Sequence, residues 1–316
     1  MEYSNSELTR FVNRIKLSEE KKRSYSGQID NLKDQVVAAI DKISGIRLLK
    51  VKRSGSWKKG TALAPRGTNP LDIDMVFFIE KEDGYKFDAE AIRKDLIDIL
   101  CAAYPNKSSD DFTNGKKTIG VVFRGSGLEV DIVPFIPEGA GSDYGLQPEK
   151  TLNSGTISTS IAKQLEFSRD LRRDNREYPS IVRILKHWRN EKELNLPSFA
   201  LEILVGKAIY MQEITGTSIS DGTARIFEWL GRGDDLHITF GKRGRSGSER
   251  PWISDPANDS NNVVARALAS WSEIEEEAEK AWETLIYART VEGEGRTRDL
   301  WKEVMGPRFN TSAEDN

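Results

Sequence analysis

The sequence predicts an α+β protein in two lobes: a mixed sheet with helices over residues 1–155 and a helical lobe over 156–316, bridged by a long N-terminal helix. Three observations carry this. Ile29, Leu32, Val36, Ile40 and Ile43 recur at spacings of 3, 4, 4 and 3, which is one face of a long helix. Two apolar runs, 71–79 and 128–136, read as buried strands. Beyond a stretch rich in Gly, Pro and Ser at 137–155, the apolar spacing is helical almost throughout.

Taken in order, Ser18 followed by Glu19 and Glu20 gives the long helix a capping hydroxyl and an acidic first turn, and Ser44-Gly45 ends it. A strand over 46–51 then delivers the chain to the small-residue turn Gly55-Ser56. After the strand at 71–79, Asp88 caps a helix with Ile92, Leu96, Ile99 and Leu100 on one face, closed by Pro105. Segments 118–124 and 128–136 form a hairpin around Gly125-Ser126-Gly127. Helices are expected at 160–171, 179–191, 199–215, 221–230 and about 262–289.

Composition narrows the class. With 37% hydrophobic and 31% charged residues, the 316-residue chain is an ordinary globular protein with room for two cores. Its longest clean apolar run, Met75 to Ile79, cannot span a bilayer, and the N-terminus lacks a basic-then-apolar signal, so a cytoplasmic protein with no membrane contact is expected. One cysteine, Cys101, forbids an intrachain disulfide, and two histidines exclude a Cys/His zinc site. A net charge of −3 argues against wholesale coating of nucleic acid, although the glycine-rich loop Lys242 to Arg250 is basic enough for local contact.

The chemistry lies in three segments. Alternation along a strand puts Asp72 and Asp74 on one face, about 7 Å apart, and Asp131 stands in an equally apolar strand. Strand interiors disfavour Asp unless something binds it, and three convergent carboxylates suit hard cations. Backbone N–H groups at Gly55 and the Ser56 hydroxyl can wrap a phosphate, with Lys59 within one turn of them. A phosphate-cradling turn, an Asp-x-Asp strand and a distant Asp strand are the parts of metal-assisted nucleotidyl transfer.

GSWKKGT, DID and EVDIVPF, in that order, resemble the polymerase-beta-type nucleotidyltransferase superfamily. More narrowly, they resemble the cyclic GMP-AMP synthase/DncV-like enzymes, or CD-NTases, of bacterial CBASS anti-phage signalling. ILKHW at 184–188, PSFALEIL at 197–204 and DPANDSNNV at 255–263 are similar to segments of oligoadenylate synthetases, and FRGSGLEVDIVPF with KGTAL brings the chain near the HORMA-associated, CdnC-like group. The resemblance implies a palm lobe, a helical lobe and a spine helix across both. It implies two Mg²⁺ ions, about 3.5–4 Å apart, on Asp72, Asp74 and Asp131, with Asp131 also orienting the attacking hydroxyl. Gly55, Ser56 and Lys59 would hold the donor triphosphate, Lys186 and Ser198 would grip it from the helical lobe, and Phe199 would stack on a base.

Each of the last four has a plainer reading: Lys59 and Lys186 solvated, Ser198 a helix cap, Phe199 core. His187 and Trp188 read as packing residues, and the 255–263 loop as a cap for the next helix. The implied product is a cyclic dinucleotide or trinucleotide made from nucleoside triphosphates, ATP first and GTP second, under a HORMA-domain activator. A template-independent tailing or small-molecule nucleotidyltransferase shares the palm but not the helical-lobe segments. An inactive nucleotide- or RNA-binding scaffold conflicts with three intact acids.

Overall fold

The computed structural model describes residues 4–40, 46–65, 71–81, 89–107, 109–114, 117–149, 155–210, 218–232, 237–238 and 251–309. The chain divides into two compact units, 17–165 and 1–16 with 166–316. The sequence places the boundary near 155. In the structure it falls at 165/166, inside a helix, and the first 16 residues join the C-terminal unit.

In unit 17–165 the sheet strands are β1 (Ile46–Arg53), β2 (Leu71–Lys81), β3 (Phe112–Asn114), β4 (Ile119–Phe123), β5 (Leu128–Pro137), β6 (Gly145–Pro148) and β7 (Thr156–Thr159). They run in the order β1-β2-β5-β4-β3, with β6 on β5 and β7 on β6. Only β2 and β5 pair in parallel within this sheet, so it is mixed, as expected. The hairpin expected around Gly125-Ser126-Gly127 is β4–β5. β6 lies in the stretch that composition marks as loop, and β7 directly follows it. Gly145 fits there because a Cβ would meet the Ile136 carbonyl at 2.4 Å, so only glycine allows β6 to approach β5 so closely.

Alternation divides the sheet's residues cleanly. Ile73, Met75, Phe77 and Ile79 of β2 and Leu128, Val130 and Ile132 of β5 are buried together with α2 (Glu19–Ile40) and α4 (Ala89–Ala103). Ile29, Leu32, Val36 and Ile40 of the predicted stripe, joined by Tyr25, supply the α2 side of that core, while Ile43 lies outside the described residues. On the opposite face, Val76, Phe78, Val133 and Phe135 pack with Ile161 at the start of α5 (Ile161–Asp174).

The other unit is mainly helical: α1 (Asn5–Ile15), α6 (Tyr178–Glu191), α7 (Ser198–Tyr210), α8 (Ile219–Arg232), α9 (Trp271–Thr290) and α10 (Glu294–Met305). α1 is absent from the sequence reading although Ser4 caps it. Ser4 Oγ accepts the Glu7 N–H at 3.3 Å and donates to the Glu7 carboxylate at 3.1 Å. Phe11 of α1 meets the His187 ring edge-on at 5.0 Å, anchoring the N-terminus in this core. α9 starts at Trp271, not near 262. Residues 252–262 instead form the hairpin β9 (Trp252–Asp255) and β10 (Asn258–Asn262), beside β8 (His237–Ile238). The Asn262 side chain accepts N–H bonds from Ile253 at 3.2 Å and Val264 at 3.1 Å, which holds this segment extended. No described helix is long and apolar enough to cross a membrane.

Candidate active site

The acids sit at the N-terminal ends of β2 and β5. Parallel register sets Asp74 opposite Asp131 and, one step earlier, Asp72 opposite Glu129. Paired residues of parallel neighbours share a face, so Asp74 and Asp131 project from the face away from α2 and α4, about 4.8 Å apart between strands. Both are half-buried. The Asp72 backbone holds its place in the ladder, while its side chain lies outside the described residues. The long helix therefore braces the acids from behind, as the sequence suggests.

The Gly-Ser turn is a short helix, α3 (Gly55–Lys59), capped at Gly60 in the left-handed region, φ 73°. The turn is bound directly to the acid strand, since the Ser54 N–H donates to the Asp74 carbonyl at 2.8 Å. Gly55, at φ 60°, lies against the Asp74 carboxylate so tightly that an added Cβ would stand 1.6 Å from Oδ2. Ser56 is half-buried, and its carbonyl accepts the Thr61 N–H at 2.9 Å, closing the turn. Lys59 is only 8% exposed, so the solvated alternative does not describe it.

These residues fit a divalent cation. Asp74 and Asp131 supply hard oxygen donors from adjacent strands, and the missing Cβ at Gly55 leaves the Asp74 carboxylate its position. Among the described residues no three acidic, histidine or cysteine side chains form a metal cage by themselves.

The remaining expected site residues belong to the helical unit. Lys186 is 3% exposed and pairs with Glu202 of α7 at 2.9 Å, so its ammonium already has a carboxylate and is not solvated. Glu202 is absent from the sequence reading, although an acid inside the apolar run PSFALEILVG signals a buried partner. Ser198 opens α7, and its hydroxyl lies 3.4 Å from Arg189 Nη2. Phe199 is partly buried on the helical core. His187 and Trp188 pack as expected: His187 Nε2 lies 3.0 Å from the Met305 carbonyl, and Trp188 meets Phe227 edge-on at 4.8 Å. Asp255 caps its own hairpin turn, accepting the Ala257 N–H at 2.9 Å, rather than the following helix. The basic loop Lys242–Arg250 lies outside the described residues.

Residues 1–152 match the family described as the Second Messenger Oligonucleotide or Dinucleotide Synthetase domain. This segment is a member of that family. The whole chain is 29% identical over 300 residues to a CBASS oligonucleotide cyclase CdnC from Escherichia coli (strain KTE188), covering 94% of each. Among solved structures, E. coli MS115-1 CdnC with ATP superposes with TM-score 0.80 at 25% identity, covering 98% of this chain and 99% of that one. The same enzyme in a CdnC:HORMA-deltaN complex gives TM-score 0.76 at 24% identity, over 95% and 96%. The fold is thus that of the CdnC nucleotidyltransferases, and the synthetase domain contains Gly55, Asp72, Asp74 and Asp131. Divalent metal use goes with this family.

Proposed function

We propose that the protein is a nucleotidyltransferase that joins nucleoside triphosphates, ATP foremost, into a cyclic oligonucleotide with release of pyrophosphate, as a signal in anti-phage defence. One observation carries this reading: Asp74 and Asp131 stand in register on one sheet face, and the Gly55 turn is packed against Asp74. Relatedness over the full length to an oligonucleotide cyclase, and to a CdnC solved with ATP, supports the substrate class.

Asp72, Asp74 and Asp131 would hold two Mg²⁺ ions, which, when bound, lower the pKa of the attacking hydroxyl and neutralise the leaving pyrophosphate. Asp131 orients that hydroxyl toward the α-phosphorus. Gly55 N–H, Ser56 and Lys59 hold the donor phosphates, excluding water from the turn. Lys186 and Ser198 add to the phosphate grip, and Phe199 offers its ring to a base. The oxygen–phosphorus bond formed replaces the bond to pyrophosphate, and repetition followed by closure yields a ring of two or three nucleotides.

Control fits a non-covalent HORMA-domain activator, the kind of partner in the related complex. The decisive experiment incubates purified protein with all four nucleoside triphosphates and Mg²⁺, then analyses phosphatase-resistant products by mass spectrometry. Cyclic products are expected, rising when the HORMA protein is added. Linear tails alone would make the enzyme a tailing transferase, and full activity without a partner at physiological salt would remove the activator.

A further inference from the structure

β1 is an edge strand of the mixed sheet, and its register with β2 sets Lys52 opposite Val76 and Lys50 opposite Phe78. Val76 and Phe78 share the face of Asp74 by alternation, so both lysines stand on the face that carries the acids. Lys50 Nζ lies 4.5 Å and Lys52 Nζ 5.7 Å from the centroid of the Phe78 ring. Phe78 is 8% exposed and leans on Phe135 at 4.9 Å, so it is a fixed floor. The other β1 cations have carboxylates, Arg47 with Glu80 and Arg53 with Asp30. Among the described residues Lys50 and Lys52 have none, and two ammonium groups sharing one ring repel each other.

An edge strand gains protection from any charge, whichever face it uses. What needs both charges on this face is an anion in line with the acids. Lys52 is one same-face step from Asp74, about 7 Å along the strand, and Lys50 is two. Steps of that size are comparable to the separation of successive phosphates in an extended nucleotide chain. An enzyme that closes a ring must also retain its linear intermediate between additions.

We infer that Lys50 and Lys52, held over Phe78, form a subsite for the phosphates of the acceptor strand, the linear intermediate whose free hydroxyl is presented to Asp74 and Asp131. This rests on the synthase reading above and adds to it a second phosphate site distinct from the donor cradle. The Phe78 ring holds the two ammonium groups from one side, and both lysines are exposed.

The test compares wild type with the Lys50→Gln/Lys52→Gln variant, which keeps a polar side chain and removes the charge. Each is titrated with 5′-phosphorylated diadenylate and with ATP, Ca²⁺ replacing Mg²⁺ to suppress turnover. The double variant should bind the dinucleotide about fivefold more weakly. Its log–log salt slope should be shallower by about 1.4, the share of two phosphate contacts on a single strand. ATP affinity should change less than about twofold, and Lys50→Arg/Lys52→Arg should restore dinucleotide binding. Unchanged dinucleotide binding, or equal losses for both ligands, would overturn the subsite. Product formation by wild type is assayed separately, so failure of the synthase reading shows as no product at all.

Discussion

Gly55 and Asp74 are in contact without room for a methyl group: a Cβ at residue 55 would stand 1.6 Å from Asp74 Oδ2 and 2.6 Å from Cγ. Gly55 also holds φ 60°, which costs an L-residue about 1–2 kcal/mol. Gly55→Ala should therefore push the Asp74 carboxylate aside, and a displacement near 1 Å costs on the order of a hundredfold in rate. Turnover should fall by that factor, with a loss of a few degrees in Tm from the strained turn. An alanine variant with wild-type turnover would show that Asp74 need not stay where Gly55 leaves it.

The pairing of Asp74 with Asp131 places like charges on adjacent strands. Without metal they repel, so neutralising both should leave thermal stability unchanged or raise it. Asp74→Asn/Asp131→Asn should abolish product and also lose the rise in Tm that Mg²⁺ confers on wild type through binding to the folded state. Melting curves with and without Mg²⁺ check the second half independently of activity. A variant that Mg²⁺ still stabilises as it does wild type would move the metal elsewhere.

Much of this was legible in the sequence because burial writes a period. The 3, 4, 4, 3 spacing of α2 and the apolar runs around Asp74 and Asp131 show which face each element hides. Elements held by other means were not legible. β6 and β7 are only four residues each, and β6 depends on a glycine that allows close approach to β5. β10, read as a loop that caps the next helix, is a strand held extended by Asn262 side-chain bonds. In the candidate site, Asp74 and Asp131 stand out in the sequence since Asp in a strand needs a reason. The pairing of Lys186 with Glu202 joins residues on two helices, and no local spacing encodes it.

Asp221 links α8 to α9, accepting hydrogen bonds from Arg225 at 2.8 Å and Arg289 at 2.9 Å. Burial alone would raise its pKa, but the two guanidinium groups together outweigh that and hold the carboxyl below its ordinary value. A folded-state pKa below the unfolded one gives stability that is complete above the unfolded value, about 3.9, and is lost as pH falls through the folded value. Wild type should therefore lose stability below about pH 4, and Asp221→Asn, which starts lower by roughly 1 kcal/mol, should lose less over that range. Denaturant titrations of both proteins between about pH 3 and 7 check this. Parallel curves would remove Asp221 from the acid response.

Lys186 and Glu202 are 3% and 2% exposed, so neither charge can turn to water when the other is removed. Glu202→Gln should cost about 3–5 kcal/mol, because it strands a buried ammonium. Lys186→Met/Glu202→Leu, which removes both charges and keeps apolar volume, should recover most of that loss. The recovered double variant then separates two roles that the single variants confound. If Lys186 serves only to join α6 to α7, the double variant should show wild-type KM for ATP. If its ammonium also grips the donor triphosphate, as proposed, KM should rise several-fold while the fold stays intact, since that contact is made in ground and transition states alike. Steady-state kinetics on the double variant, with its melting curve alongside, decides between them, and an unchanged KM would strike Lys186 from the phosphate site.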